Sequence, residues 1–387
     1  MPESPIRKLV PYAEKAMENG KKIFHLNIGQ PDVKTPEIAL EAVKNNNIST
    51  VAYSHSAGNP SLRQKLSEYY AKHDIEVSKN DILVTTGGSE ALVFTMNSIT
   101  DPGDEIIVPE PFYANYYSFS TQSTVTVVPV ISKIEDDFAL PPIKAFEEHI
   151  TNKTKAILIC NPGNPTGYLY SKEEIQQLTE LAIKYDLFLI SDEVYREFVY
   201  DDSKHYSILE EEKLKDHAIV VDSFSKRYSM CGARIGCMVS RNEAVIKTAM
   251  KFAQARLSPP TFAQIASEAA LSVPDSYYNE VVEEYKSRRD TLVKGLNQIP
   301  NIKFSIPRGA FYCIVELPIE NSEDFAIWML EKFDDHNETI MVAPAAGFYS
   351  SVSAGRNQIR IAYVLNKSDL KRATEILKIA LEQYLNQ

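Results

Sequence analysis

The run LFLISDEVY, residues 187–195, constrains the fold most, because it is apolar on both faces of an extended chain. A strand buried on both sides is typical of the centre of a parallel sheet whose two faces are covered by helices. Strand and helix patterns alternate from this run to a lysine-containing stretch at residues 223–236. This order predicts a doubly wound α/β domain, in which ligands bind at the carboxyl ends of the strands.

The stretch SFSKRYSMCGARIG places Lys226 directly after the apolar run AIVVDS. Most lysines are solvated surface charges, and Lys226 alone would indicate little. Its neighbours change the interpretation, because Ser223 and Ser225 supply hydroxyl donors and Arg234 supplies a planar fork for phosphate oxygens. An amine beside an anion that other groups already bind is available as a nucleophile toward an aldehyde. The stretch therefore predicts a lysine that forms a Schiff base next to a phosphate.

The pattern S-x-S-K-x5-G-x-R-x-G resembles the lysine-attachment signature of the class I and II aminotransferases, pyridoxal phosphate enzymes of fold type I. The resemblance extends over essentially the whole chain, with the motifs in the family order. It implies a large domain with a mostly parallel seven-stranded sheet between helices, plus a smaller α+β domain. We expect residues 1–45 to form an N-terminal arm and part of the small domain, 46–287 the large cofactor-binding domain, and 288–387 the small C-terminal domain.

The segment DILVTTGGSEALVFTMNSI reads as a strand, a glycine turn and a helix. Backbone amides of Gly87, Gly88 and Ser89 would open the helix, where unpaired donors and the macrodipole favour a phosphate. Such a turn is also an ordinary connection, and the complete nucleotide-binding glycine patterns are missing from it. The resemblance implies that these three residues bind the cofactor phosphate together with the lysine stretch.

Asp192 ends the central apolar strand, and a carboxylate there is costly unless it has a partner. A protonated pyridine nitrogen is one partner, and a helix cap is the alternative. The resemblance implies that Tyr113 stacks on the pyridine ring, and that Asn164, in the run NPGNPTG, and Tyr195 hydrogen-bond the ring oxygen. For Tyr116, packing in the core is an equal alternative to a place in the site.

Arg360 lies in the apolar run QIRIAYV, where a charge requires pairing. The resemblance implies that Arg360 grips the substrate α-carboxylate with two hydrogen bonds, assisted by Asn164 and by the backbone of Gly29. A structural ion pair is the alternative for Arg360, and an ordinary turn is the alternative for Gly29. Tyr53 matches a family tyrosine that reaches across a homodimer interface to the partner's cofactor phosphate, although a tyrosine here also fits simple packing.

The resemblance implies a ping-pong transamination through Schiff bases, from an L-amino acid, aspartate or aromatic, to a 2-oxo acid such as 2-oxoglutarate. Lys226 moves the proton of the substrate Cα, and Asp192 and Tyr195 complete the catalytic set. A dicarboxylate needs a second cation, for which Arg256 is a candidate, although a surface role suits it better. Two alternatives stay open: a pyridoxal phosphate carbon-sulfur β-lyase, and a non-catalytic cofactor-binding regulatory domain.

The composition argues against several other classes of protein. A net charge of -11, from 41 basic and 52 acidic residues, disfavours nucleic acid and anionic membranes as partners. The four cysteines are scattered without a C-x-x-C pair, and neither histidines nor carboxylates show metal-ligand spacing. No signal peptide or membrane span is evident. We therefore expect a cytoplasmic enzyme without a bound metal.

Overall fold

The computed structural model describes residues 7–351 and 353–387. The strands within the described residues are β1 (Lys22–His25), β2 (Ile82–Thr85), β3 (Glu105–Glu110), β4 (Thr126–Ile131), β5 (Thr154–Cys160), β6 (Phe188–Asp192), β7 (Ala218–Ser223), β8 (Gly236–Val239), β9 (Lys303–Phe304), β10 (Tyr312–Glu316), β11 (Glu338–Met341), β12 (Ala343–Pro344) and β13 (Gln358–Ala362). The α-helices are α1 (Val10–Glu18), α2 (Glu37–Lys44), α3 (Pro60–Ala71), α4 (Gly87–Ile99), α5 (Asn115–Gln122), α6 (Ile143–Glu147), α7 (Lys172–Lys184), α8 (Phe224–Arg227), α9 (Glu243–Arg256), α10 (Thr261–Ala270), α11 (Asp275–Leu296), α12 (Ser322–Glu331) and α13 (Lys367–Leu385).

The largest sheet has seven strands in the order β2-β8-β7-β6-β5-β3-β4. Its strands run parallel except β8, which is antiparallel to both of its neighbours. Strand β6 lies in the middle, and its last residue, Asp192, pairs in register with Cys160 of β5 and Val221 of β7. The predicted α/β architecture, with a mostly parallel seven-stranded sheet, is confirmed.

The central strands are apolar on both faces because a separate hydrophobic layer covers each face. Ile157 and Leu189 face one layer, whereas their neighbours Leu158 and Ile190 face the other. Helix α7 belongs to the first layer and begins at a capping box, in which Ser171 and the Glu174 side chain satisfy each other's backbone amides. Both faces of the sheet are therefore covered, as the apolar character of the central strands requires.

The remaining strands form a smaller unit, made from both ends of the described chain. Strands β12, β13, β10 and β9 form an antiparallel sheet, and β1 pairs in parallel with β11. Helix α11 contacts the large core through Tyr277 and the small core through Leu292 and Leu296. The expected domain boundary between residues 287 and 288 falls inside this helix, and the domain extents remain predictions. Over residues 7–351 and 353–387, no helix has both the length and the apolar character to cross a membrane.

Candidate active site

A cavity of about 1080 Å³ opens where β5, β6 and β7 end, beneath the turn that follows β1 and beside β13. Parallel strands present their carboxyl ends at one edge of a sheet, which is why distant sequence segments meet here. Twelve of the fourteen predicted site residues line it: Gly29, Gly88, Ser89, Tyr113, Asn164, Asp192, Tyr195, Ser223, Ser225, Lys226, Arg234 and Arg360. The other two, Gly87 and Tyr53, are not part of its lining.

Lys226 projects into the cavity from the short helix α8. Ser223 caps the N-terminus of this helix, and its Oγ accepts a hydrogen bond from the backbone N–H of Ser225 at 3.1 Å. The Lys226 Nζ donates to the carbonyl oxygen of Gly29 at 2.7 Å. This bond holds the amine between the large sheet and the β1 turn, with its nitrogen 5.8 Å from the ring centre of Tyr195.

The surroundings of Lys226 favour its neutral form. Burial lowers the pKa of the Lys226 amine most, and the positive charges of Arg360 and Arg234 lower it further. Cys231 and Asp192 oppose this shift without cancelling it. An amine with a depressed pKa carries its lone pair at a lower pH, so Lys226 is suited to act as a nucleophile and as a base.

Only one of the two carboxylate oxygens of Asp192 has a hydrogen-bond partner among the described residues. Its Oδ2 accepts a hydrogen bond from the hydroxyl of Tyr116 at 2.8 Å, whereas its buried Oδ1 has no hydrogen-bond partner within the described part of the chain. Burial raises the pKa of Asp192 to about 6, against the lowering effect of the Tyr116 hydroxyl and the Val194 amide. A cationic N–H donor in the cavity would satisfy Oδ1 and favour the ionised carboxylate. A protonated pyridine ring fits this requirement.

The first turn of α4 and Arg234 form one end of the cavity. Gly87 begins the helix with φ +76°, and a Cβ there would lie 2.5 Å from Arg234 Nη2. The glycine therefore lets the guanidinium approach the helix N-terminus, where the amides of Gly88 and Ser89 start the helix. Arg234 is itself oriented by a 2.9 Å hydrogen bond from Nη1 to the Cys231 carbonyl oxygen. This combination suits a phosphate dianion.

Arg360 is only 1% exposed, and no acidic side chain of the described residues lies within ion-pair distance of it. Its guanidinium lies 4.6 Å from the ring centre of Tyr312 and 5.0 Å from that of Phe348. Nη1 donates to Asn164 Oδ1 at 3.1 Å and Nη2 to the Asn27 carbonyl oxygen at 2.6 Å. These neutral contacts leave the charge uncompensated, so the geometry suits an anionic ligand better than a structural ion pair.

Two residues that the sequence analysis did not predict, Tyr312 and Asn27, line the cavity beside Arg360. The hydroxyl of Tyr312 lies 2.8 Å from that of Tyr195, and a Cβ on Gly29 would lie 1.7 Å from the Tyr312 oxygen. Asn27 also lines the cavity, is 1% exposed, and has no partner for its Oδ1 in the described structure. The signal for Asn27 was a polar residue inside the apolar run IFHLNIG. No comparable signal marks Tyr312 in an apolar strand.

Tyr113 and Tyr116, which are three residues apart in sequence, have different environments, because Tyr113 lines the cavity and Tyr116 does not. Asn115 Nδ2 donates to the Tyr113 hydroxyl at 2.7 Å, which orients that ring beside the cavity. Tyr116 is fully buried, with its ring at 5.6 Å from the Tyr113 ring in an edge-to-face arrangement. Tyr116 thus belongs to the core and at the same time orients the Asp192 carboxylate.

Arg256 lies elsewhere. Its Nη1 pairs with Glu90 Oε2 at 2.5 Å, and its Nη2 donates to the Ser56 carbonyl oxygen at 2.8 Å. It is not among the residues that line the cavity. Among the described residues, no group of three or more histidine, cysteine or acidic side chains could hold a metal ion.

Comparisons with known proteins point to one family. The aminotransferase class I and II family model matches residues 21–377. An aspartate aminotransferase of Pyrococcus horikoshii is 32% identical over 98% of this chain and 95% of its own. A (5-formylfuran-3-yl)methyl phosphate transaminase of Methanocaldococcus jannaschii is also 32% identical, over 99% and 96%. The solved aspartate aminotransferase of Thermus thermophilus with maleate has a TM-score of 0.89 at 30% identity, covering 98% of this chain and 97% of that one.

Proposed function

Because the chain belongs to the class I and II aminotransferases, we propose that it uses pyridoxal 5'-phosphate to move the amino group of aspartate or an aromatic L-amino acid to a 2-oxo acid such as 2-oxoglutarate. The observation that carries this proposal is the meeting of three groups in one cavity: the Lys226 amine, the unpaired oxygen of Asp192 and the uncompensated guanidinium of Arg360. The aspartate aminotransferases among the relatives support an acidic donor.

The cavity residues fit the cofactor. The first turn of α4, Ser223, Ser225 and Arg234 would hold its phosphate, and Asp192 would hold its ring nitrogen in the protonated form. Tyr113 would stack on the ring, and Tyr195 and Asn164 would hydrogen-bond its phenolic oxygen. When bound, pyridoxal phosphate supplies an aldehyde that takes up the amino group and a cationic ring that withdraws electrons from the substrate Cα.

Lys226 supplies the proton transfers. Its amine would hold the cofactor by a covalent bond to the aldehyde carbon, and as a free base Nζ would remove the proton from the substrate Cα and return it. The depressed pKa of Lys226 keeps a larger fraction of this amine neutral at physiological pH. The Gly29 carbonyl, which accepts its hydrogen bond in this structure, helps to orient the amine when it is free.

Arg360 positions the substrate. Its guanidinium is held in plane by Asn164 and the Asn27 carbonyl and is covered by the rings of Tyr312 and Phe348, so its direction is set before substrate arrives. Such a fork binds a carboxylate through two parallel hydrogen bonds. The substrate α-carboxylate would therefore lie at the buried end of the cavity, with its Cα near Lys226.

We further propose that two copies of the chain share each active site. Tyr53 is 79% exposed and lies outside the cavity of its own chain. Apolar side chains are exposed nearby in sequence and on the mutually packed helices α2 and α10, among them Val51, Ile38 and Phe262. A surface of this kind is typical of a protein interface. Burial of these side chains in a homodimer would bring Tyr53 to the phosphate end of the partner's cavity.

The proposed function is tested by following the absorption of the cofactor-loaded protein while single amino acids are added without a keto acid. A fall of the cofactor band with aspartate or glutamate, and formation of the matching keto acid, would identify a dicarboxylate aminotransferase. The same change with tyrosine or phenylalanine alone would identify an aromatic one. Release of pyruvate and ammonia from a sulfur amino acid without an acceptor, or no spectral response to any donor, would contradict the proposal.

Lys226→Ala should lower turnover by about 10⁴-fold or more, because both the covalent attachment and the proton transfer require this amine. The variant should still bind free cofactor, since the phosphate ligands and Asp192 are unchanged. Steady-state kinetics and cofactor titration measure the two effects. Lys247→Ala is the matched control, because Lys247 is an exposed lysine that pairs with Glu243 on α9. A Lys226→Ala enzyme with wild-type turnover in the absence of added amines would refute the role of Lys226.

A further inference from the structure

Two tyrosine hydroxyls meet in the buried wall of the cavity. Tyr195 follows the end of β6, and Tyr312 is the first residue of β10. Both side chains are buried and line the cavity, and their hydroxyl oxygens lie 2.8 Å apart. Each hydroxyl has one hydrogen to donate and two lone pairs to accept with. Within the pair, one hydroxyl therefore spends its hydrogen on the other, and the accepting hydroxyl keeps its own hydrogen for a further partner.

The direction of this hydrogen bond decides what Tyr195 can do. In the proposed function, the Tyr195 hydroxyl donates to the phenolic oxygen of the cofactor. Both hydrogen bonds can exist together only if the one between the tyrosines runs from Tyr312 to Tyr195. We propose that Tyr312 is a positioning residue, which donates to the Tyr195 oxygen and so directs the Tyr195 hydrogen at the cofactor. The inference rests on the proposed function and adds to it a second residue behind Tyr195.

The surroundings keep both hydroxyls protonated, as a relay of two donors requires. Burial raises the pKa of Tyr312 to about 12 and the pKa of Tyr195 well above its ordinary value. The charged and titratable side chains around the pair include Tyr113, Cys160, Lys226 and Arg360. The positive charge of Arg360 lowers the pKa of Tyr312 without offsetting the effect of burial. Each hydroxyl thus retains its hydrogen throughout the neutral pH range.

The ring of Tyr312 has a separate contact with the residue assigned to the substrate carboxylate. Strands β10 and β13 are antiparallel, and Ile314 of β10 pairs with Arg360 of β13. Tyr312 is two residues from Ile314, so it projects from the same face of the sheet as Arg360. The guanidinium lies 4.6 Å from the centre of the Tyr312 ring. Replacement by phenylalanine would therefore remove the contact with Tyr195 and keep the contact with Arg360.

Asn164, the other donor assigned to the phenolic oxygen, is oriented in a comparable way. Its Oδ1 accepts a 3.1 Å hydrogen bond from Arg360 Nη1, which leaves its Nδ2 to donate toward the cofactor. Each of the two donors to one cofactor atom thus has a group behind it: Arg360 behind Asn164, and Tyr312 behind Tyr195. Donors that are oriented in advance stabilise negative charge on their acceptor without reorganisation.

The test measures the apparent pKa at which the absorption band of the cofactor-loaded protein shifts with pH. Donors to the phenolic oxygen stabilise its ionised form, so the loss of one raises this pKa. Tyr195→Phe should raise it by about one unit or more. Tyr312→Phe should raise it by about half a unit, because the second hydrogen bond only strengthens the first. The double variant should match Tyr195→Phe, since Tyr312 acts through Tyr195.

Two controls separate positioning from general damage to the fold. Tyr363→Phe removes another buried hydroxyl, which donates to the Ala310 carbonyl oxygen at 3.2 Å and does not line the cavity. This variant should leave the apparent pKa of the cofactor band unchanged. Calorimetric titration with the unreactive carboxylate butyrate should give Tyr312→Phe the affinity of wild type within about twofold, because the ring over Arg360 remains.

An unchanged apparent pKa in Tyr312→Phe, or shifts of the two single variants that add in the double variant, would overturn the inference while leaving the aminotransferase assignment intact. A marked loss of butyrate affinity in Tyr312→Phe would also overturn it, since the hydroxyl would then support the whole site. A wild-type protein that forms no cofactor band and transaminates no donor would instead overturn the proposed function and this inference with it.

Discussion

At the residue scale, Asp192 faces opposite requirements from stability and from function. Its carboxylate is 5% exposed, and burial raises its pKa from an ordinary 3.8 to about 6. A group whose pKa is raised by folding destabilises the fold once the pH exceeds its unfolded value, and the penalty is complete above its folded value. Asp192 therefore costs stability at neutral pH in the cofactor-free protein. The proposed contact with a ring nitrogen would explain why a carboxylate occupies this position.

Asp192→Asn should stabilise the cofactor-free protein at pH 8 by at most about 3 kcal/mol, because the raised pKa corresponds to that penalty on the ionised form. The gain should shrink at pH 4.5, where the native carboxyl is already mostly protonated. Transamination should nevertheless fall sharply. Urea unfolding at the two pH values measures the first effect, with the exposed Asp216→Asn as the control. An equal change in the free energy of unfolding at both pH values would contradict the assignment of the raised pKa to Asp192.

At the scale of elements, the turn after β1 connects the small unit to Lys226. Strand β1 pairs with β11, and the turn that follows it provides the Gly29 carbonyl for Lys226 and the Asn27 carbonyl for Arg360. The hydroxyl of Tyr312 on β10 occupies the space beside the Gly29 Cα. A short segment of backbone thereby sets the direction of two charged side chains, and it tolerates no side chain at residue 29.

Gly29→Ala should lower activity at least about tenfold and destabilise the protein by about 1 to 3 kcal/mol, because the new Cβ would lie 1.7 Å from the Tyr312 oxygen and would overpack the site. Gly232→Ala is the matched control in the lysine stretch, since its Cβ would meet no atom within 4 Å. Kinetics and thermal unfolding of both variants provide the test. A Gly29→Ala enzyme as active as Gly232→Ala would show that the turn moves freely.

At the scale of the whole molecule, the cavity of a single chain is lined by nearly all of the predicted site residues, whereas Tyr53 lies on the surface outside it. The exposed apolar side chains on α2, on α10 and near Tyr53 would be unfavourable in water and are explained if a second copy covers them. On this view the cavity described here is the part of the active site that one chain contributes. The oligomeric state then becomes a requirement for catalysis and has consequences that can be measured.

Co-expression of Tyr53→Ala with Lys226→Ala should restore activity that neither variant has alone. In random pairing half of the dimers are hybrids, and each hybrid contains one site with both wild-type residues, so about a quarter of wild-type activity should return. The control pair is Asp192→Asn with Lys226→Ala, which line the same cavity of one chain and should not complement. Failure of the first pair to exceed the second would rule out a shared site.

The sequence by itself determined the sheet and most of the cavity. The apolar run that ends in Asp192 and the stretch around Lys226 are local patterns, and parallel strands necessarily bring their carboxyl ends to one edge. Twelve of fourteen predicted residues therefore meet in one place without any knowledge of the packing. The lysine-attachment signature indicated the family, and the family match over residues 21–377 confirms that membership.

Only the tertiary structure decided which side chains support these groups. Tyr312 meets Tyr195 across 117 residues of sequence, and Tyr116 reaches Asp192 across 76, because separate elements pack at particular angles. For the same reason Arg256, whose sequence position allowed a place in the cavity, pairs with Glu90, whereas Arg7 lines the cavity from the other end of the chain. The local pattern of apolar residues determines where a strand ends. Contacts between elements that are distant in sequence depend instead on how their side chains pack in the folded protein.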